Sequence, residues 1–332
     1  AIKQVNAKGG VLGKQITLVV ADNKSDTAEA ANAMQKLATQ DKVIASIAPI
    51  ASSSVMAAAQ VNESAKILGI SPTASNPNVT VDPETGKVRD YLFRATFIDP
   101  FQGAVMANFA KNTLKAQKAA VYIENSSDYA KGLGKFFKET FVQNGGNIIS
   151  DEAYLAKDTD FKATLTKIKA SNPDVIFVPG YYQEVGMIIK QAREIGITVP
   201  ILGADGWDSA KLPEIAGAEA LNNTFFSNHY SPDDNSPEIK NFVEAYKAEY
   251  GQVPDAFAAL SYDATMMIIE AIKRAGVEDS VKVKDELAKT KDYQGVSGSI
   301  TLDEKHNAVK GVVIIEMKNG IQAFKEKIKP LS

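Results

Sequence analysis

The feature that most constrains this chain is an alternation. Short β-branched, apolar runs recur along it, and longer amphipathic stretches follow them. One unit shows the rule. Phe161, Leu165 and Ile168 recur at spacings of four and three, so on a helix they share one face, while Lys162, Lys167 and Lys169 fall off that stripe. Ser171-Asn172-Pro173-Asp174 ends the helix, because the residue before a proline avoids helical geometry. Val175-Ile176-Phe177-Val178 then reads as a strand apolar on both faces, as buried parallel strands are. Gly180-Tyr181-Tyr182 follows at its carboxyl end, where ligands bind in open α/β sheets.

The same reading gives candidate strands Gln15–Val20, Val43–Ile47, Ile67–Ile70, Ala119–Ile123, Val175–Val178, Ile201–Gly203 and Thr224–Ser227. Candidate helices are Thr27–Thr39, Ser54–Ala65, Phe101–Leu114, Lys131–Gln143, Phe161–Ala170, Gln183–Ile195 and Pro237–Tyr250. Repeated units of this kind argue for open, doubly wound α/β sheets. Three breaks interrupt them: Asp99-Pro100 after the strand-like Tyr91–Ala95, the polar loop Ser231–Pro237, and the turn Asp303–Asn307 before the apolar Gly311–Ile315. Three breaks suit a chain that crosses between two lobes three times.

Length agrees, since 332 residues suit two domains of ordinary size. Net charge is −3, from 37 basic and 40 acidic residues, and no run of like charges suggests a nucleic-acid partner. The absence of cysteine removes disulfides, thiolate nucleophiles and zinc–thiolate or iron–sulfur sites. No apolar run approaches the ~18 residues of a membrane span. The opening Ala1-Ile2-Lys3-Gln4 reads as mid-helix, so a targeting segment is expected to have been removed or left out.

Catalytic motifs fail one by one. Gly9-Gly10-Val11-Leu12-Gly13-Lys14 has the wrong spacing for a phosphate loop, and Gln15 stands where Ser or Thr must hold magnesium. Gly132-Leu133-Gly134 lacks the third glycine of a dinucleotide fingerprint. Asp22-Asn23-Lys24-Ser25-Asp26 lacks the glycine and distal glutamate of a calcium loop. No G-x-S-x-G elbow exists. His229 and His306 read as solvated loop residues. No catalytic residue, metal site or cofactor is expected. Two strand-end loops remain. Ser52-Ser53-Ser54 precedes a helix, where serine caps free N–H groups, alone or together with an anionic ligand. Ser71-Pro72-Thr73-Ala74-Ser75 is either a plain turn or one wall of a polar pocket.

At these residues the chain resembles the branched-chain amino-acid-binding proteins of ABC importers, above all the surface-anchored versions of Gram-positive bacteria. The resemblance runs through Asn6-Ala7-Lys8-Gly9-Gly10, Ala51-Ser52-Ser53-Ser54, Ile70–Ser75, Ser127-Asp128-Tyr129-Ala130-Lys131-Gly132, Pro179-Gly180-Tyr181-Tyr182 and Gly203-Ala204-Asp205-Gly206. Each piece is short, and their order and spacing are specific together. The resemblance implies the type I periplasmic binding fold: α/β, two doubly wound lobes joined by a three-strand hinge. Lobe I would comprise residues 1–98 and 229–313, and lobe II residues 99–228 and 314–332.

It also implies roles. The Ser52 hydroxyl, the Ser75 N–H and Tyr129 would hold a ligand carboxylate. The Thr73 carbonyl, the Ser75 hydroxyl and the Asp205 carboxylate would hold the ammonium, with Ala74 between them and Tyr181 completing the site as the lobes close. A buried ammonium needs such a counter-charge. Families of this kind often carry Glu or Asp at this position, and this chain has the shorter Asp205, which on the residues alone reads equally as a turn residue before Gly206. Ile50, Ala51, Tyr181 and Phe257 would line an apolar side-chain pocket for leucine, isoleucine or valine, with Trp207 a further candidate wall; packing is the alternative for Phe257 and Trp207. Family members usually begin with a strand, a loop and most of a helix ahead of Asn6, so one pocket wall is unread. The expectation is a monomeric, extracytoplasmic protein, periplasmic or lipid-anchored, that hands an amino acid to a membrane permease. The rivals are an amino-acid sensor domain of the same fold and a Rossmann-like enzyme.

Overall fold

The structure is a computed structural model that describes residues 1–234 and 236–329. Asn235, in the expected loop Ser231–Pro237, and residues 330–332, at the end of the expected lobe II, lie outside the described residues. The strands are, in chain order, β1 (Ala45–Ile47), β2 (Leu68–Ser71), β3 (Leu92–Arg94), β4 (Lys118–Glu124), β5 (Asn147–Tyr154), β6 (Val175–Phe177), β7 (Ile201–Gly203), β8 (Thr224–Asn228), β9 (Tyr293–Gly295), β10 (Gly298–Leu302), β11 (Ala308–Val309), β12 (Val312–Lys318) and β13 (Ile321–Ile328).

The chain divides into two compact units. The first is Ala1–Ile98 with Phe257–Lys310, and the second is Asp99–Ala256 with the segment that begins at Gly311. The first crossing falls after Ile98, as the Asp99-Pro100 break suggested. The second falls at Ala256/Phe257, so residues 229–256, which the sequence reading placed in lobe I, group with the second unit. The third falls at Lys310/Gly311, three residues ahead of the expected 313/314.

In the first unit β1, β2 and β3 form a parallel sheet in that order. Its two faces are sorted by strand alternation. Leu68, Ile70 and Phe93 pack with Ala264, Met267 and Leu287 on one face, while Leu92 packs with Val55, Ala59 and Val79 on the other. Gly69 lies on the Leu92 face, and a Cβ there would come within 2.8 Å of Asn62 Nδ2 and 2.9 Å of Leu92 Cδ2. Glycine therefore lets the helix Ser52–Ala65 approach the sheet. A small antiparallel sheet, β11-β10-β9, adds Ile300 and Leu302 to the core.

Gln15–Val20 does not form the expected strand. The residues are apolar enough, but among the described residues no strand pairs with them, and Leu18 and Val20 are 63% and 80% exposed. A strand requires a ladder partner for its N–H and C=O groups, and β-propensity alone supplies none. His306 also departs from expectation. Its ring stacks on Phe93 at a centroid distance of 3.8 Å, and Nδ1 lies 3.0 Å from the Leu92 carbonyl. The polar turn around it hid a side chain folded back onto β3.

The second unit is built on a seven-stranded sheet of order β13-β12-β8-β7-β6-β4-β5. The strands from β5 to β8 are parallel, and β12 and β13 add antiparallel to that edge. The order reverses at β4, the topological switch point at which such sheets bind ligands. Phe161, Leu165 and Ile168, the stripe read from the sequence, enter one core with Tyr122, Ile176, Val178, Trp207 and Phe226. Phe177 points the other way and stacks on Phe137 at 4.2 Å. The expected helix Phe101–Leu114 runs as an α-helix over Asp99–Asn108 and widens into a π-helical turn over Phe109–Thr113.

Candidate functional site

Each unit brings its candidate residues to the carboxyl ends of its parallel strands. In the first, the loop after β1 carries Ile50 and Ala51 into the helix Ser52–Ala65, and the loop after β2 carries Thr73, Ala74 and Ser75. The helix starts two residues earlier than the sequence suggested. Ala51, at the N-cap, makes no side-chain cap. Ser52 is buried, and its Oγ accepts from Asn76 N at 3.3 Å. Serine therefore ties the helix start to the neighbouring loop. Thr73 Oγ1 donates to the Ile50 carbonyl at 2.8 Å, a second tie, and Ala74 N donates to Ser71 Oγ at 3.0 Å. The Ser75 hydroxyl is buried and has no hydrogen-bond partner among the described residues. An orphaned buried hydroxyl is costly unless something else satisfies it.

Arg94, at the end of β3, was missed by the sequence reading. It has no solvent exposure, and its guanidinium donates to the carbonyls of Ala74 at 3.0 Å and Asn76 at 2.8 Å and to Thr80 Oγ1 at 3.1 Å. The planar fork suits such multiple donation. The signal was an arginine inside the strand-like run Tyr91–Ala95, since a charge in a buried strand must have partners.

In the second unit, Tyr129 follows β4, Tyr181 follows β6, Asp205 follows β7 and His229 follows β8. Tyr129 lies in the first turn of the helix Asp128–Gln143, whose N-cap Ser127 accepts from Ala130 N at 3.1 Å. Its ring stacks on Tyr181 at 5.2 Å. Its hydroxyl donates to Asp205 Oδ1 at 2.7 Å and accepts from Gly206 N at 2.9 Å. A phenol has one proton, so the hydroxyl expected to meet a ligand carboxylate is engaged within its own unit. Burial, and then the negative charge of Asp205, push the Tyr129 pKa well up, so it remains a protonated donor. Burial, followed by the charges of Asp205 and Asp99, likewise raises Tyr181.

Asp205 is 2% exposed and holds further partners: Gln102 Nε2 at 2.8 Å from Oδ1 and His229 Nε2 at 3.1 Å from Oδ2. Burial pushes its carboxyl up. The hydrogen bond and charge of His229, with Gln102 and Tyr129, outweigh burial and hold the pKa below the ordinary carboxylate value. His229 is thus buried against a carboxylate and is not the solvated loop residue read from the sequence. The polar residues that follow it misled that reading. The available signal was its position one residue past β8, equivalent to those of Tyr181 and Asp205. Gln102 offered less, a lone amide on the buried face of its helix.

Trp207 is placed in the core of the unit. It is fully buried among Ile176, Val178 and Phe226, and its indole N–H donates to the Val178 carbonyl at 3.0 Å. Its contacts are those of core packing. Ile50 is half exposed, and Ala51, Tyr181 and Phe257 are partly buried.

An open α/β sheet in each unit, strand ends dressed with hydroxyls on one and a buried carboxylate on the other, and three chain crossings define a solute-binding protein. The chain belongs to the periplasmic binding protein family, whose model matches residues 1–322. It is 31% identical over 305 residues to an amino acid binding protein of Pseudomonas aeruginosa, which covers 92% of this chain and 79% of that protein. It is 30% identical over 307 residues to the leucine-specific-binding protein of Salmonella typhimurium, covering 92% of this chain and 80% of the relative. Among solved structures, the leucine binding protein LivK of Thermotoga maritima superposes with a TM-score of 0.93 at 40% identity, over 99% of this chain and 92% of that one. The branched-chain amino acid transporter substrate binding protein LivJ of Streptococcus pneumoniae, solved with isoleucine, matches with the same TM-score at 42% identity and the same coverage. The two-lobed α/β fold expected from the sequence is that of these neighbours. Family membership supports an extracytoplasmic location.

Proposed function

We propose that this protein captures a branched-chain amino acid and delivers it to the permease of an ABC importer. The observation that carries the reading is the opposite polarity of the strand ends in the two units. The second presents a buried carboxylate, Asp205, held in its charged form. The first presents a helix start and the buried Ser52 hydroxyl, beside a loop held by the Arg94 guanidinium. A zwitterion needs both. Helix N-termini and hydroxyl donors favour its carboxylate, and a buried anion favours its ammonium.

Ser52 and the Ser75 N–H are assigned to the carboxylate. Asp205, the Thr73 carbonyl and the Ser75 hydroxyl are assigned to the ammonium, with Ala74 positioned between by Arg94. Tyr129 fixes Asp205. Ile50, Ala51, Tyr181 and Phe257 are assigned to the side chain, and none of them carries a charge to pair with a charged side chain. The relatives with leucine or isoleucine in their names support this choice of ligand. The protein acts as a monomer, lipid-anchored at the cell surface or free in the periplasm.

Calorimetric titration with leucine, isoleucine, valine, lysine and glutamate tests the reading. The three apolar amino acids bind, the charged ones do not, and Asp205→Ala weakens leucine by roughly tenfold or more, as expected when a buried charge loses its partner. Unchanged leucine affinity in Asp205→Ala would remove the ammonium assignment.

A further inference from the structure

The two oxygens of Asp205 are not equivalent. A carboxylate offers about two acceptor positions on each oxygen. Oδ1 has both filled, by Gln102 Nε2 at 2.8 Å and Tyr129 Oη at 2.7 Å. Oδ2 receives His229 Nε2 at 3.1 Å. An ionised carboxylate only accepts, so the histidine nitrogen that faces it bears the proton. One acceptor position of Oδ2 is left for a further donor.

The residues around this pair hold it in place. Gln102 Nε2 also donates to Ser227 Oγ at 2.9 Å, which anchors the amide to β8. His229 N donates to Asn228 Oδ1 at 2.8 Å, and Asn228 Nδ2 donates to Asp208 Oδ2 at 2.9 Å. Asp208 Oδ2 also accepts Ala256 N at 2.7 Å, at the residue where the chain leaves this unit. The imidazole therefore rests on a backbone fixed from two sides. Its side chain is fully buried, so water does not compete for Oδ2 from that direction.

We propose that His229 is a positioning residue for ligand capture: through Nε2 it occupies one acceptor position of Asp205 Oδ2, fixes the carboxylate plane and directs the ligand ammonium to the position that remains. The inference rests on the assignment of Asp205 to the ammonium. It gives a part in ligand capture to a residue that acts through Asp205. Without His229, Oδ2 has two open positions and the carboxylate is held from one oxygen only, so an ammonium is met by a looser and less directed acceptor.

The test uses the whole chain and two ligands that share a side chain and a carboxylate. L-Leucine carries the ammonium and 4-methylpentanoate lacks it. Affinities are measured by calorimetry for the wild type, His229→Leu, His229→Asn and His229→Gln. His229→Leu removes the donor, His229→Asn has an amide too short to reach Oδ2, and His229→Gln restores an N–H at that reach. The expected result is a loss of roughly tenfold in leucine affinity for the Leu and Asn variants, typical of a lost hydrogen bond to a charged group. Affinity for 4-methylpentanoate is unchanged, and His229→Gln recovers leucine binding. Where 4-methylpentanoate binds too weakly to titrate, recovery by Gln against loss in Asn decides alone. Wild-type leucine affinity in His229→Asn, equal losses for both ligands, or no recovery in His229→Gln would overturn the proposal. Asp205→Ala separates the two claims: if it loses leucine while the His229 variants do not, only the role of His229 fails.

Discussion

The Arg94 guanidinium donates to the Ala74 carbonyl at 3.0 Å and to the Asn76 carbonyl at 2.8 Å, so one buried side chain grips the backbone on both sides of Ser75. That grip fixes the backbone from which the Ser75 N–H and hydroxyl project. Lysine keeps the charge but replaces a planar fork with a single ammonium, which cannot serve both carbonyls and Thr80 Oγ1 in the same geometry. Arg94→Lys should cost about 1–3 kcal/mol of stability, the range for a broken buried network. It should also weaken leucine by more than the stability loss implies, because the loop is then free to reorient in the folded protein. Urea unfolding and calorimetry on the same preparation separate the two. Wild-type leucine affinity in a destabilised Arg94→Lys would show that the grip serves folding alone.

Much of the fold was legible because period and punctuation agreed. Phe161, Leu165 and Ile168 formed the expected core stripe, and Thr27–Thr39, Ile201–Gly203 and Pro237–Tyr250 fell within the expected bounds. The losses have physical causes. β5 and β13 are edge strands with mostly half-buried or exposed residues, so they carry no apolar run to detect. The helix Ala256–Ala275 mixes alanines with Asp263, whose carboxylate accepts from Val296 N, Ser297 N and Ser297 Oγ, contacts that only tertiary structure reveals. Gln15–Val20 failed in the opposite direction, since strand propensity was present and a pairing edge was not. The site divides in the same way. Tyr129, Tyr181 and Asp205 could be placed at strand ends from sequence. Gln102, His229 and Arg94 meet their partners 103, 24 and 18–20 positions away, pairings that the fold sets and that local periodicity does not show.

Gly203 shows how closely the Asp205 loop is packed. A Cβ at residue 203 would lie 1.9 Å from Trp207 Cε2, and the ring cannot retreat because it is fully buried and bonded to the Val178 carbonyl. Gly203→Ala should destabilise the protein by about 3 kcal/mol, at the upper end for overpacking a filled core. Combining it with Trp207→Ala removes the clashing atoms, so the double variant should lose less than the sum of the two single losses, a non-additivity expected of residues in contact. Denaturant midpoints of the two single variants and the double variant check this. Additive losses would mean that the indole is not the obstacle.

His306 supplies a pH dependence whose sign can be worked out. Burial against Phe93 and β3 lowers its pKa from the ordinary 6.5, and hydrogen bonds to backbone oppose that only in part. The unfolded chain therefore binds a proton at a higher pH than the folded one. Stability rises with pH wherever the unfolded state holds more protons. The contribution of His306 is thus complete above the unfolded value near 6.5 and is lost as pH falls from there through the lower folded value. Residue 306 has φ +62°, a left-handed conformation that asparagine tolerates. His306→Asn should keep the turn while losing the stacked ring, at a cost of about 1 kcal/mol at neutral pH. Urea unfolding at pH 7.5 and at pH 5.5 provides the measurement. The wild type should lose more stability than His306→Asn between the two conditions, because only the wild type must charge a buried imidazole. Equal losses would place the proton uptake elsewhere.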